Sequence, residues 1–266
     1  MNRRGLWIAL LVAAIVGVVF GLYPQLDLAI SRFFFNETAK DFTMGHPRWV
    51  AILRDGARTI EALLVAPAVI AIVLKLLWPP RRMLISGRAA IFLVTTLALA
   101  PGVAANVILK DNWGRPRPID VTVFNGADPF VPWWDPRGVC PKNCSFVSGE
   151  ASAGFWTLAP ASFAPPAWRP LAYAGALGFG AMMGTIRMAG GGHFFSDTVF
   201  AGVVTFLIVW LMHGLIYRWP ATRWTDAGVE RAFERIAGPP HRVLVRLFTR
   251  RPSPPLDRPD TPQGRA

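Results

Sequence analysis

The sequence predicts an all-α fold, a polytopic bundle of six transmembrane helices. Three observations carry that reading. Charged residues make up 17% of the chain and hydrophobic ones 53%, whereas an average soluble domain carries roughly 25% charged residues. Long uncharged runs recur along the 266 residues, each near the ~20 helical residues that cross a ~30 Å hydrocarbon core. Lys and Arg crowd one set of the junctions between those runs, as cytoplasmic loops do. Together these argue against a disordered chain, a secreted disulfide scaffold and an ordinary soluble enzyme.

Taken in order, the first run, 5–23, reads as an uncleaved anchor. It is longer than a signal h-region, and the chain continues Leu22-Tyr23-Pro24 without a small-residue cleavage site. An outer loop over 24–59 follows. Its Leu26-Asp27-Leu28-Ala29-Ile30 and Phe33-Phe34-Phe35 predict a helix lying in the interface. The second span is 60–78, and Lys75 near its end is placed to snorkel to the cytoplasmic side. Arg81, Arg82 and Arg88 fill the link to the third span, 89–109. A second outer loop, 110–148, carries Phe124, Phe130, Trp133 and Trp134, aromatics suited to headgroups and to substrate recognition. The fourth and fifth spans, 149–165 and 170–186, are rich in Gly, Ala and Pro. They read as a closely packed helical hairpin turning around Pro166–Pro170. The sixth span is 197–217. These runs divide the chain into an anchor region 1–59, a core 60–217 and a tail 218–266.

The net charge is +12. The tail holds ten Arg and five acids. Residues 229–236 and 241–250 alternate apolar residues with Arg, and Pro239-Pro240 separates them. Both predict basic amphipathic helices on the cytoplasmic leaflet, with anionic phospholipid as the partner rather than nucleic acid. From Arg251 onward the composition predicts disorder. Cys140 and Cys144 have no nearby His and do not make a tetrahedral zinc site. They are either free thiols or, in an oxidising compartment, a disulfide.

Polar residues gather at the other set of span ends. Lys110 closes span three and Arg117 follows it. Ser148-Gly149-Glu150 opens span four, Arg187 closes span five, and His193 and Asp197 open span six. Span parity puts all of them on one face of the membrane, whichever way the protein is oriented. The set suits a phosphate. Arg offers a planar fork to its oxygens and Lys a point charge, while Ser148 and Gly149 stand at a helix N-terminus that favours anions. His193 and Asp197 are four apart and share a helical face. That arrangement lets a carboxylate fix the imidazole tautomer and free the other nitrogen to attack.

Lys-x6-Arg-Pro, then Ser-Gly, then Arg-x5-His-x3-Asp, at alternate span boundaries over about 60–217, resembles the type-2 phosphatidic acid phosphatase superfamily. The resemblance implies a helical bundle that removes phosphate from lipid phosphates or pyrophosphates without a metal or other cofactor. Lys110, Arg117, Arg187, Ser148 and the Gly149 amide would hold the phosphoryl oxygens. His193 would become a phosphohistidine and Asp197 would orient it. Two positions depart from the family pattern. Ile186 stands where Ser is usual. The middle motif reads Val147-Ser148-Gly149-Glu150 where Pro-Ser-Gly-His is usual. The family's His protonates the leaving group. Glu150 can do so if it holds a proton, which burial beside a bound phosphate favours; otherwise that role is lost or falls to water.

The expectation is therefore an integral membrane phosphatase acting on a lipid phosphate or pyrophosphate, in a bacterial inner membrane with its site facing the periplasm. A lipid phosphotransferase using the same histidine is the nearest alternative. A non-catalytic lipid-binding or transport protein, in which His193 is dispensable, is the next.

Overall fold

The computed structural model describes residues 2–45, 47–222 and 224–249, and side chains through Val243. The disorder expected from Arg251 onward lies outside the described residues. The elements are α1 (Arg3–Leu22), α2 (Gln25–Arg32), the two-residue strands β1 (Phe35–Asn36) and β2 (Asp41–Phe42), and α3 (Arg48–Leu77). They continue as α4 (Gly87–Asn112) and α8 (Phe195–Arg218), with α5 (Gly149–Trp156), α6 (Leu158–Ala161) and α7 (Arg169–Ala189) between them and α9 (Asp226–Thr249) last. Among the described residues the only sheet is the β1–β2 hairpin, with Phe35 opposite Phe42.

Four helices are long and apolar enough to cross a membrane: α1, α3, α4 and α8. They match the first, second, third and sixth predicted spans. The predicted hairpin is built differently from a pair of plain spans. Its first arm breaks at Thr157, whose hydroxyl turns back onto the Gly154 carbonyl at 2.7 Å, leaving α5 and α6 short. Its second arm, α7, has 21 residues, but Gly, Ala and Arg187 dilute its hydropathy. Close packing in this pair is as expected. A Cβ on Gly180 would fall 2.3 Å from the Phe155 ring, and one on Gly154 would sit 3.0 Å from the Gly180 Cα.

α3 begins twelve residues before the predicted second span, so much of the expected loop is helix. Thirty residues make about 45 Å, well beyond the ~30 Å hydrocarbon layer. Its first turns carry Arg54, Asp55 and Arg58. α4 widens to i→i+5 turns over Ala98–Leu109, which accommodates Pro101. Asn106 Nδ2 donates to the Pro101 carbonyl at 2.7 Å.

The inner core joins Ala68, Phe92, Trp156, Val209 and Ile216. A second cluster of Ala105, Phe146, Val147, Ala151, Phe155 and Ala201 lies under the site. The segment expected as an interfacial helix forms α2. Phe33 is 86% exposed, but Asp27 is buried. The aromatic loop turns inward rather than toward headgroups. Phe124 packs with Phe35, Phe42 and Phe194, and Trp133 packs on Phe200 of α8 at 4.4 Å between ring centroids. Trp134 stays 49% exposed.

At the opposite end, Lys75 does not snorkel. It is buried, donating to the Arg81 carbonyl at 2.9 Å and to Glu234 Oε1 at 2.7 Å. The two expected tail helices are one, α9, which runs through Pro239 and Pro240. These prolines lack the N–H that an inner helical turn uses, yet the helix continues past them. α9 is pinned to α3 by Lys75 and to the start of α4 by Asp226. That carboxylate accepts from the Ser86 hydroxyl at 2.6 Å and from the Arg88 guanidinium at 3.0 Å.

Candidate active site

The predicted site residues come together at one end of the bundle. The segment after α4 does much of the assembling. Cys140 N–H donates to the Gly114 carbonyl, Cys144 N–H to Lys110 and Ser145 N–H to Arg115, at 2.8–3.0 Å. Cys140 and Cys144 form a disulfide. The loop it closes is thus stitched onto the Lys110–Arg117 motif and delivers Ser145 to the histidine. Arg117 Nη2 donates to the Asn143 carbonyl of the same loop at 2.7 Å.

His193 is 1% exposed. Its Nδ1 lies 2.6 Å from the Ser145 carbonyl oxygen. A carbonyl only accepts, so Nδ1 carries the proton and Nε2 keeps its lone pair. Burial, and then the charges of Arg187, Lys110 and Arg117, hold the imidazole pKa well below its ordinary 6.5. The ring is neutral and lies among cations.

Asp197 does not hydrogen-bond His193 directly; its Oδ2 lies 3.9 Å from Nδ1. It accepts instead from the Ser145 hydroxyl, from the Phe194 N–H at 2.8 Å and from Arg115. The Phe194 contact is a reach back to the cap of α8 from its third residue. The carboxylate therefore positions the ring through Ser145 and starts the helix at the same time.

Ser148 is the N-cap of α5, its hydroxyl accepting from Ala151 N–H at 3.4 Å. Gly149 sits where a Cβ would lie 2.5 Å from Asn106 Oδ1, so α5 approaches α4 closely only with glycine there. Arg187 closes α7. A Cβ on Gly192 would fall 2.3 Å from its Nη2, so the Gly190-Gly191-Gly192 turn makes room for the guanidinium. Glu150 points into this group, with Oε2 3.8 Å from Arg187 Nε.

The site also holds residues the sequence reading missed. Arg54 and Arg58 reach Glu150 from α3. Arg54 donates through Nε at 2.9 Å and through Nη2, and Arg58 through Nη2 at 3.3 Å. Glu150 is thus held as an acceptor among three guanidiniums. Arg115, with no exposed surface, bonds Asp197, Ser196, the Val131 carbonyl and Asp27, and lies 4.2 Å from the Phe194 ring centre. Among the described residues, no three His, Cys, Asp or Glu side chains gather as metal ligands.

A buried neutral imidazole with a fixed tautomer, facing a cluster of Lys and Arg at the end of membrane-crossing helices, is equipped for phosphoryl transfer. Known proteins agree. Residues 89–223 match the PAP2 superfamily. A lipid A 4'-phosphatase of Francisella tularensis subsp. novicida (strain U112) is 34% identical over 219 residues, 82% of this chain and 98% of that protein. One of Rhizobium etli is 33% identical over 205 residues, covering 72% of this chain and 79% of its own length. One of Rhizobium leguminosarum is 38% identical over 104 residues, 39% and 45% of the two chains. No solved structure matches significantly. The chain belongs to the PAP2 superfamily. The expected enzyme, a membrane phosphatase acting on a lipid phosphate, is borne out at that level.

Proposed function

We propose that this enzyme removes a phosphate monoester from a lipid A-like glycolipid through a phosphohistidine at His193. The Nδ1 contact to the Ser145 carbonyl carries the reading, because it leaves Nε2 as the free nitrogen. The relatives named for the 4'-phosphate of lipid A favour a sugar phosphate over a pyrophosphate. Lys110, Arg117 and Arg187 bind the phosphoryl oxygens, with the free Gly149 amide of the α5 N-terminus. Nε2 attacks phosphorus, the N–P bond forms and the P–O bond to the sugar breaks. The departing alkoxide takes a proton from Glu150. Water then attacks phosphorus and gives its proton back to Glu150, the N–P bond breaks, and phosphate leaves with His193 neutral.

Glu150 starts this cycle as an ionised partner of Arg54, Arg58 and Arg187. A bound phosphate monoester monoanion competes for the same guanidiniums and hands its proton to Glu150, because like charges close together favour a carboxyl that holds its proton. After hydrolysis the product phosphate leaves carrying that proton, and Glu150 is ionised again. Six spans fit this reading, α5–α6 and α7 forming the fourth and fifth. The Arg-rich junctions favour a cytoplasmic position for the α9 end, where anionic phospholipid meets the basic tail. The disulfide then lies on the site's side, as an oxidising periplasm of a bacterial inner membrane allows.

The first test is phosphate release by purified protein in detergent from a panel of lipid phosphates, with EDTA present and His193→Ala as control. Release that survives EDTA and vanishes in the variant supports the reading. A newly phosphorylated lipid without free phosphate moves it to a transferase. Glu150→Gln tests the acid. We expect kcat for lipid to fall about 10²-fold, with little loss for p-nitrophenyl phosphate, whose leaving group needs no proton. Equal rates at every pH would remove Glu150 from catalysis.

A further inference from the structure

Asp27 belongs to α2, outside the residues 89–223 that match the family. It is 1% exposed. One carboxylate oxygen accepts from Ser196 N–H at 3.0 Å, and the other from the Ser196 hydroxyl and from Arg115 Nη2 at 2.8 Å. Arg115 Nη1 turns the other way, to Asp197 and to Ser196 Oγ. A chain of contacts thus runs Asp27–Arg115–Asp197–Ser145–His193, buried from end to end. Buried charges count here, because the low-dielectric interior screens them little.

We propose that Asp27 is a positioning residue that occupies the Arg115 charge, so that the negative charge of Asp197 is left uncompensated to face the phosphohistidine. The proposal rests on His193 being the nucleophile. Two carboxylates against one guanidinium leave one net negative charge behind the ring. When Nε2 takes the phosphoryl group while Nδ1 keeps its proton, the imidazole becomes cationic, 3.9 Å from Asp197 Oδ2. That charge develops in the transition state, and a fixed opposite charge aimed at it lowers the barrier. Without the Asp27 charge, Arg115 neutralises Asp197 and the ring loses its counter-charge. The N-terminal region is then part of the catalytic apparatus as well as an anchor.

Asp27→Asn should lower kcat about 10- to 100-fold, the size of outer-shell effects at metal sites. KM should change little, because Asp27 touches none of the phosphate-binding cations. Charge balance supplies the decisive variant. Asp27→Asn with Arg115→Gln restores one net negative charge and should recover much of kcat, whereas a merely structural role makes the double variant the worst of the set.

A readout independent of lipid is the titration of His193 by 15N-histidine NMR in micelles. The charged groups around the ring are Lys110, Arg117, Glu150, Arg187 and Asp197, with Arg115 and Asp27 behind. Asp27→Asn should keep His193 neutral to a lower pH, and the double variant should return it. Asp27→Glu, which keeps the charge, serves if Asn does not accumulate as folded protein; it should retain most of kcat and the wild-type titration. Unchanged kcat and titration in folded Asp27→Asn overturn the proposal. Equally, a double variant slower than both singles overturns it, as does Asp27→Glu with the full loss. If wild type and His193→Ala release phosphate alike, the phosphohistidine reading fails, and the titration still reports the charge coupling.

Discussion

Behind His193 lie Ser145, Asp197, Arg115 and Asp27, each at most 1% exposed and joined by hydrogen bonds. In front of it the side chains of Arg187, Glu150, Arg54 and Arg58 are 16, 23, 30 and 58% exposed. Their pairing is looser, with one carboxylate shared among three guanidiniums. The difference follows from what each side has to do. The back fixes one tautomer and one ring orientation, and a buried, satisfied network does that best. On the proposed function, the front has to exchange an internal carboxylate for a substrate phosphate, so its contacts have to be breakable. Substitutions at the two sides should therefore fail in different ways.

The largest effect belongs to the ring between the two sides. On the proposed mechanism, His193→Ala should lower phosphate release on the order of 10⁴-fold or more, as loss of a nucleophile does. The pH profile sharpens this. Burial, then Arg187, Lys110 and Arg117, disfavour the imidazolium. Protonation would block Nε2, so a lowered pKa extends activity toward acid. The acid limb of kcat/KM, which reports the free enzyme, should lie well below pH 6.5. A limb at or above that value would mean the front cations do not act on the ring.

A smaller effect is expected when the front alone is disturbed. Gly192→Ala brings a Cβ to 2.3 Å from Arg187 Nη2 and 2.8 Å from its Cζ. The guanidinium end is free to swing aside, so stability should hold. Misplacement by about 1 Å is enough to cost ~10²-fold in rate, and kcat should fall by that order at an unchanged Tm. Gly175→Ala, on the helix that carries Arg187, meets nothing within 4 Å and should behave as wild type. Equal activity in both variants would show that the place of Arg187 is not set by this turn.

The front was more legible in the sequence than the back. Lys110, Arg117, Arg187 and His193 could be read because they stand at fixed spacings beside span ends. The His193–Asp197 spacing of four brings the two side chains to 3.9 Å, with Ser145 bonded to both. Arg115 was hidden by its neighbour, since nothing in Arg115-Pro116-Arg117-Pro118 says which guanidinium is buried. Asp27 was hidden by distance, lying 169 residues before Ser196 in the chain, and no local period reports such a contact. Arg54 and Arg58 were lost because charges ended the apolar run. Val50 and Ala57, both buried and seven apart, carry the helical period that continues α3 outward. The inward aromatic loop was missed because buried and interfacial aromatics look alike in composition.

The far end of α3 gives the smallest effect and tests whether the site is self-contained. Lys75 lies 21 residues beyond Arg54, about 30 Å along the helix, and its side chain is 1% exposed. It holds Glu234 at 2.7 Å and Glu230 at 4.0 Å. Lys75→Met fills the same space without the charge. The stranded carboxylates are 44 and 28% exposed and can turn to water. The cost should therefore fall well short of the 3–5 kcal/mol of a broken fully buried pair, at about 1 kcal/mol. Thermal unfolding followed by circular dichroism should show Tm lowered by about 3 °C, and kcat should be unchanged. A fall in kcat without a fall in Tm would show that α9 and the active site are coupled through α3, and that the two ends of the bundle do not act separately.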